Sequence, residues 1–502
     1  MKKSLVAVSV IVALGAAWTG ASWYTGKQIE SRIDQILEKA NAKLAGTGGE
    51  LQKKEFKRGI FSSDALLVLS HKNNKEEKNK EKNEDIVFKS RIDHGPFPLA
   101  DIAKFKLAPK LASIHTELEK NDVTEKLFEI TKSKSLFGVD SRIGYDQSLY
   151  FDINIIPVEY KDEATGDNLS FSGATITVDT DNKFNKFSST VKSNEVKIDF
   201  KKNESIELKN IDFSMDTKKN KFDTYLGNSN FNIGEIKLTG LDDNDLSIQD
   251  VKTASVVGED NENNINNTVS FSIDGLKIKD IDFGSSKFVF SLNNLDGLAY
   301  SKFNQAYYDS IIQAIKSGDF ESHDKLANAA MLEYLPTMLK HNAQFSIKPL
   351  SAKNSKGESA INFNVTLNNF PEDLNSLMLG DSEDIIRKII KNLSLDIKLS
   401  KPMIVESIAL SQQLKGKDKS AAETEGKQQV QMMAAQGTAL KLFTDTEDTI
   451  GLNFHYDNDK VKLNDKESSL HQFLLDNGLV GSYDDVDGEQ NQHNEAELPV
   501  AE

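Results

Sequence analysis

The sequence predicts an α+β fold, mostly antiparallel β with a helical insert, preceded by a single N-terminal transmembrane helix. Three observations predict it. An apolar run opens the chain, strict alternation of apolar and polar residues recurs from about residue 50, and helix-spaced apolar residues interrupt the strands near residue 300. Alternation with period two leaves one face of a strand buried and the other wet, the habit of antiparallel sheets. Continuous apolar runs of the parallel, doubly wound type are missing, so a nucleotide-binding α/β fold is not expected.

Residues 1–26 read as a signal anchor. Lys2 and Lys3 precede an apolar run from Leu5 through Ala17 that continues through Trp18, Ala21, Trp23 and Tyr24. A spanning helix needs about 20 apolar residues, a length reached here by including the Thr19–Gly20 step. The basic pair marks a cytoplasmic N-terminus and places the body outside. Trp18 and Trp23, the only tryptophans, sit with Tyr24 at the outer end of the run, as in an interfacial aromatic belt. The competing reading is a cleaved signal peptide, for which Gly15-Ala16-Ala17 and Thr19-Gly20-Ala21 offer small residues. The unbroken helix signal favours the anchor. Over residues 27–47, Ile29, Ile33, Ile36, Leu37, Ala40 and Leu44 share a helical face. This amphipathic stalk either pairs with a copy of itself in a homodimer or packs on its own body.

A β-rich region is expected over 48–300. Leu149, Phe151, Ile153 and Ile155 alternate with Tyr150, Asp152 and Asn154, and similar runs cover 196–200, 269–273, 361–367 and 393–399. Asp181-Asn182 and Asn293-Asn294 read as turns. Leu208–Phe213 and Ile278–Phe283 echo each other, with a slip in apolar phase that predicts a bulge at one place in two similar strands. A helical insert spans 301–345, carrying Phe303, Tyr307, Ile311 and Ile315, then Leu326 to Leu339 with Pro336 kinking or ending the second helix. A second β-containing region with short helices follows over 346–483. Pro371 opens one of these helices, and Ser382-Glu383-Asp384 caps another. The charged stretch 71–85, the stretch Lys415–Gln429 and the acidic tail 484–502 read as loops.

The 502 residues are 38% hydrophobic and 27% charged, with a formal net charge of −16. That balance argues against nucleic acid and against electrostatic attachment of the whole body to an anionic membrane. There is no cysteine, hence no disulfide, thiolate metal site or cysteine nucleophile. The eight histidines show no metal-ligand spacing, and neither a nucleophile elbow nor a phosphate loop occurs. Asp242–Asp245 and Asp457–Asp459 resemble fragments of calcium loops but read better as turns. No catalytic, metal or cofactor residue is assigned.

Three motifs carry a resemblance. Trp23-Tyr24-Thr25-Gly26 is followed by Arg58-Gly59-Ile60-Phe61-Ser62-Ser63, then by His94-Gly95-Pro96-Phe97-Pro98-Leu99, with Leu295-Asp296-Gly297 before the helical insert. In this order they resemble the YdgA-like family of Gram-negative envelope proteins. The resemblance implies one inner-membrane anchor and a periplasmic body, and brings no catalytic residue. The residues themselves read as structural. Gly59 permits a sharp turn before Phe61 and Ser63, while Gly95-Pro96 and Pro98 stiffen a bend that leaves Phe97 and Leu99 pointing inward. His94 reads as a hydrogen-bonded turn histidine. Val461 to Asp465 reads as a strand ending in an Asn-Asp turn.

Three functions remain open, in this order. The first is a non-catalytic binding or scaffold protein of the envelope, with an envelope protein or lipid as partner. The second is a lipid-binding or lipid-transfer protein with an apolar β groove. The third is a carboxylate-dependent enzyme acting on envelope polymers.

Overall fold

The computed structural model describes residues 2–44, 49–71, 85–201, 203–241, 244–261, 263–368, 370–371 and 381–479, with the backbone alone over 2–11. The expected charged loop, the helix after Pro371 and the acidic tail therefore lie outside the described residues, wholly or nearly so.

One helix, α1 (Lys2–Leu44), precedes the sheet, and no break separates anchor from stalk. Then follow β1 (Gly49–Arg58), β2 (Ser62–His71), β3 (Ile86–His94), α2 (Leu99–Ala103), β4 (Ala112–Leu118), α3 (Glu125–Ile130), β5 (Phe137–Ile143) and β6 (Ser148–Ile155). Two short strands, β7 (Val158–Lys161) and β8 (Asn168–Phe171), precede β9 (Ala174–Asp181) and β10 (Lys186–Asp199). Long strands come next: β11 (Ser205–Lys219), β12 (Tyr225–Leu241), β13 (Asn244–Glu259), β14 (Asn264–Ile278) and β15 (Ile281–Asp296). The helical insert is α4 (Gly297–Ser317) and α5 (Phe320–Leu339), leading to β16 (Gln344–Asn354) and β17 (Gly357–Leu367). The chain closes with α6 (Ser382–Ile389), β18 (Ile390–Ser400), α7 (Lys401–Leu414), α8 (Lys419–Ala439), β19 (Thr444–Asp445), β20 (Thr449–Asp457), β21 (Lys460–Leu463), β22 (Lys466–Ser469) and α9 (Leu470–Asp476).

All 22 described strands join one sheet, and each pairing is antiparallel. The sheet is almost a pure meander. Strands pair in chain order, except that β9 joins β6 and β10, β8 lies on β10, and β18 joins β20. The two β regions expected from sequence are thus one ladder, joined across β15 and β16 beneath the helical insert. Twisted open sheets of more than about 10 strands curl or split, so a ladder this long must coil.

The core is not evenly distributed. Helix α1 packs on β2–β4 around Ala65, Ile92 and Ala112. At the other end the ends of α4 and α5 cover Leu295, Ala343 and Leu367, α9 covers Tyr456 and Val461, and α7 with α8 covers Ile450. Among the described residues, no hydrophobic residue between Val158 and Ile265 is fully buried.

Several expectations need correction. Lys415–Gln429 is not a loop, because α8 runs through it: Asp418 accepts from the Ser420 and Ala421 amides, and Ala422, Gly426, Val430 and Ala434 form the buried stripe. Alanine, glutamate, glutamine and lysine are strong helix formers, and small residues let α8 sit close to Val405 of α7. Asn293-Asn294 is not a turn but part of β15, with Asn294 left-handed at φ 60° where the pairing with β14 slips. The echoed hexapeptides do different things. Leu208–Phe213 crosses mid-strand in β11, whereas Lys279-Asp280 of the second copy is the hairpin turn between β14 and β15. The slip in β11 belongs instead to a crease across the sheet. Asn210 and Asp250 are left-handed there, and Gly234 lies between them, where a Cβ would stand 3.0 Å from that of Asn210. Pro336 lies within α5 rather than ending it, and the residue before the first turn of α6 is Asp381, with Ser382 already inside the helix.

Gly284 tests how tightly the meander is drawn. Its φ is +89°, and a Cβ would come 1.9 Å from the Lys353 carbonyl of the neighbouring strand. Gly284→Ala should cost about 1–3 kcal/mol in urea unfolding, whereas Gly258→Ala, which meets nothing within 4 Å, should change stability by less than about 0.5 kcal/mol.

Candidate functional site: an apolar sheet face and its helix junction

In an antiparallel ladder, residues directly opposite one another point to the same side. Tracing partners therefore traces a face. Val139, Ile153, Ile176, Val191, Phe213 and Phe231 follow one another across β5, β6, β9, β10, β11 and β12. The row goes on through Thr253, Phe271, Phe288, Leu350, Ile361, Ile397 and Leu452. Two residues away, a parallel row runs from Ile92 and Ile114 through Phe151, Val178, Met215, Val269, Phe290, Ile347, Phe363 and Leu395 to Phe454, with serines at the strands between. At about 4.8 Å per strand, the first row is about 58 Å long.

The opposite face is polar. Thr177 and Thr190 hydroxyls meet at 2.6 Å, Lys252 Nζ reaches Asp274 at 2.6 Å, and Thr268 meets Ser291 at 2.9 Å. Among the described residues the apolar face is covered at its two ends only. Ile29 of α1 packs over Ala65 and Phe56, which continue the first row, and the C-terminal helices reach as far back as Leu292. From β6 to β14 no core cluster forms on it. Phe231 and Phe271 are 39% and 40% exposed in mid-sheet. The other apolar row residues here are half-buried, so the middle of the face is an apolar surface only partly shielded from water, and a candidate for binding.

The motif residues assemble elsewhere, at the junction of α1 with the sheet. Trp18 lies 5.0 Å from the Phe61 ring, centroid to centroid. Gly26 faces the His94 imidazole so closely that a Cβ would stand 2.3 Å from Cε1. Further along, Glu30 takes Arg58 Nε at 2.6 Å, Asp34 pairs with Lys53 at 2.6 Å, and Asn41 exchanges two hydrogen bonds with Leu51. Helix α1 therefore runs down along β1, with Ile33 and Leu37 buried and Ile36 exposed. Ile29, Ile33 and Leu37 of the stalk's apolar face therefore pack on the chain's own body. Trp23 remains exposed, flanked by Lys27 and Arg58, and Tyr24 is exposed beside it. The side chains of Lys2, Lys3 and Leu5 lie outside those described. Among the described residues no helix is long and apolar enough to cross a membrane.

His94 is the last residue of β3 and is 1% exposed. Its Nδ1 lies 3.0 Å from the Ile60 carbonyl and its Nε2 2.8 Å from Ser63 Oγ. A carbonyl only accepts, so Nδ1 carries the proton and Nε2 accepts from the serine hydroxyl. Burial pushes the imidazole below its ordinary value, outweighing the Ile60 carbonyl and Asp93, which pull the other way. A Ser–His pair at this distance has the form of a nucleophile and its base, but it is sealed beneath α1, where no substrate reaches it. It is a hinge pin. Gly59 makes the turn as expected, donating to the Ser62 carbonyl at 2.7 Å. Gly95 does the same for the next loop, donating to the Leu111 carbonyl at 2.8 Å. One expectation fails here: Pro98 is the residue that points inward, while Phe97 and Leu99 are exposed. Ser62 opens β2, Asn464 is left-handed in the β21–β22 turn, and Asn458-Asp459 forms a left-handed turn between β20 and β21. Among the described residues no cluster of His, Asp or Glu stands ready to hold a metal.

Sequence reasoning missed the apolar rows as a site. The signal available was the recurrence of a Phe in each long hairpin, at 213, 231, 271 and 288, but only the register shows that they line up.

The comparisons with known proteins come from the same direction. A family model described as "Bacterial protein of unknown function (DUF945)" matches residues 1–471. "Protein YdgA" of Escherichia coli K12 is 31% identical over 491 residues, covering 94% of this chain and 96% of that protein. "Uncharacterized protein YihF" of the same organism is 25% identical over 480 residues, 93% of this chain and 97% of that one. An uncharacterized protein of Haemophilus influenzae is 29% identical over 249 residues, 47% of this chain and 65% of its own. No solved structure matches.

The junction carries two expectations. Gly26→Val should lift α1 from His94, lowering stability by about 1–3 kcal/mol and opening residues 27–44 to protease. For His94 the folded-state pKa lies below the unfolded one, so its contribution is complete above about pH 6.5 and is lost as pH falls through the folded value. Thermal unfolding should therefore shift downward between pH 7.5 and pH 5, and His94→Gln should flatten that dependence.

Proposed function

The chain belongs to the DUF945 family of bacterial proteins, and from that premise we propose that it is a membrane-tethered, non-catalytic envelope protein that holds lipid acyl chains along its apolar sheet face. The observation that carries this reading is the bare stretch of that face between β6 and β14, fenced by α1 at one end and the C-terminal helices at the other. Counted along the sheet, the path from β6 to β15 is about 34 Å, against a hydrocarbon core of about 30 Å for a whole bilayer, so an acyl chain fits along it. Each methylene laid on the face contributes about 0.8 kcal/mol. The polar groups on the face are small hydroxyls, Ser141, Ser189, Ser229, Ser255 and Thr253, with no charged side chain among the two rows, which suits a ligand recognised by its hydrocarbon rather than by its headgroup.

The tether rests on sequence. Lys2, Lys3 and the run from Leu5 to Ala17 have the composition of a signal anchor, and Val12, Ala13, Leu14, Ala16 and Ala17 are exposed on α1 before it docks at Trp18. With the basic pair inside, the body lies in the periplasm. The tether then brings the covered end of the apolar face beside the bilayer from which its ligand comes. A scaffold role, first in order from sequence, draws no specific support from a face that carries apolar residues and small hydroxyls but no charge in its two rows.

A photoreactive amino acid at Phe231, in the middle of the face, should crosslink to phospholipid in growing cells, and one at Asn230, on the polar side of the same strand, should not. Equal labelling at the two positions, or protein adducts alone at Phe231, would sink the groove and return the scaffold reading.

A further inference from the structure

We propose that the loop from Gly95 to Leu111 is a second membrane contact, which dips into the headgroup region of an anionic bilayer beside the point where α1 leaves the sheet. The loop follows His94, whose ring abuts Gly26 of α1, and Lys110 N closes it by donating to the Pro96 carbonyl at 2.9 Å. Helix α1 pairs with β1 at Glu30–Arg58, Asp34–Lys53 and Asn41–Leu51, in that order. Its N-terminal part therefore extends past the β1–β2 turn, at the strand end that carries this loop. Ile60 in that turn and Tyr145 in the β5–β6 turn are exposed at the same end.

The loop's chemistry is what an interface requires. Phe105 is 89% exposed and Leu107 is 64% exposed, and Phe97 and Leu99 are also turned outward. Phe105 is held in a left-handed conformation at φ 56°, in a segment fixed by Lys106 N donating to the Asp101 carbonyl at 2.8 Å. Solvent alone gives no reason to hold a phenylalanine out in this way. Lys104, Lys106 and Lys110 alternate with these apolar residues, and buried Asp101 is the one acidic residue from 95 to 111. In a chain of net charge −16, a local excess of cations on an apolar tip is complementary to anionic headgroups and to hydrocarbon beneath them. Lys104 also reaches Asp140 at 3.0 Å, which ties the loop to the sheet. The inference is independent of what occupies the apolar face.

The chain has no cysteine, so single labelled sites are clean. The full-length protein would carry an environment-sensitive fluorophore at Phe105→Cys, Ala13→Cys or Lys279→Cys and be bound to vesicles of phosphatidylethanolamine and phosphatidylglycerol containing spin-labelled lipid. Quenching of about twofold or more is expected at Phe105 and none at Lys279, in the β14–β15 turn at the opposite strand end. Ala13 reports the tether separately. An unquenched Phe105 label in a protein that still unfolds cooperatively would overturn the proposal, whatever Ala13 shows. Lys106→Glu with Lys110→Glu should abolish the quenching at Phe105 in these vesicles, and its persistence would refute the role given to the cations.

Discussion

Register governs this molecule. A strand exposes alternate residues to alternate sides, so a slip of one residue would exchange its faces. Across 13 strands the partners of Val139 and Ile153 stay in phase as far as Leu452, and that agreement makes one side continuously apolar. Where phase must change, the chain uses left-handed or side-chain-free residues, as at Asn210, Gly234 and Asp250. The covering helices follow from the same constraint, since α1 and the C-terminal helices pack where the rows end. Among the described residues no second layer lies over the middle of this face.

The family motifs have a mechanical meaning in this setting. Three short sequence runs far apart in the chain converge on one joint, where Gly26 admits the His94 ring, Ser63 and Ile60 hold its two nitrogens, and Arg58 reaches Glu30. The joint sets the angle at which the helix meets the sheet. Burying a neutral histidine there costs less than burying an ion, and both ring nitrogens are satisfied.

Much of the architecture could be read from residues. The alternation at 149–155, 269–273, 361–367 and 393–399 matches β6, β14, β17 and β18, because each of these strands turns its apolar side chains to one face of the sheet and its polar ones to the other. Helix α8 escaped notice because its buried stripe is made of alanine, glycine and valine, which carry little hydrophobic contrast. The inward and outward choices at Phe97, Pro98 and Leu99 depend on how the loop closes on Lys110, which local sequence does not encode. The candidate site was invisible for a similar reason. Single strands show that a face is apolar, but a stack of paired strands is needed to show that the apolar faces line up.

A meander has a further property. Nearly every strand finds its partner in the strand just made, so each hairpin can close before the next segment exists, and loop-closure entropy stays small despite the size of the sheet. For a chain made from its N-terminus, assembly can keep pace with synthesis: the helix junction first, the long hairpins in turn, the capping helices last. The same arrangement makes length a modular quantity. Adding or removing one hairpin would change the reach of the face by about 10 Å and leave both ends intact.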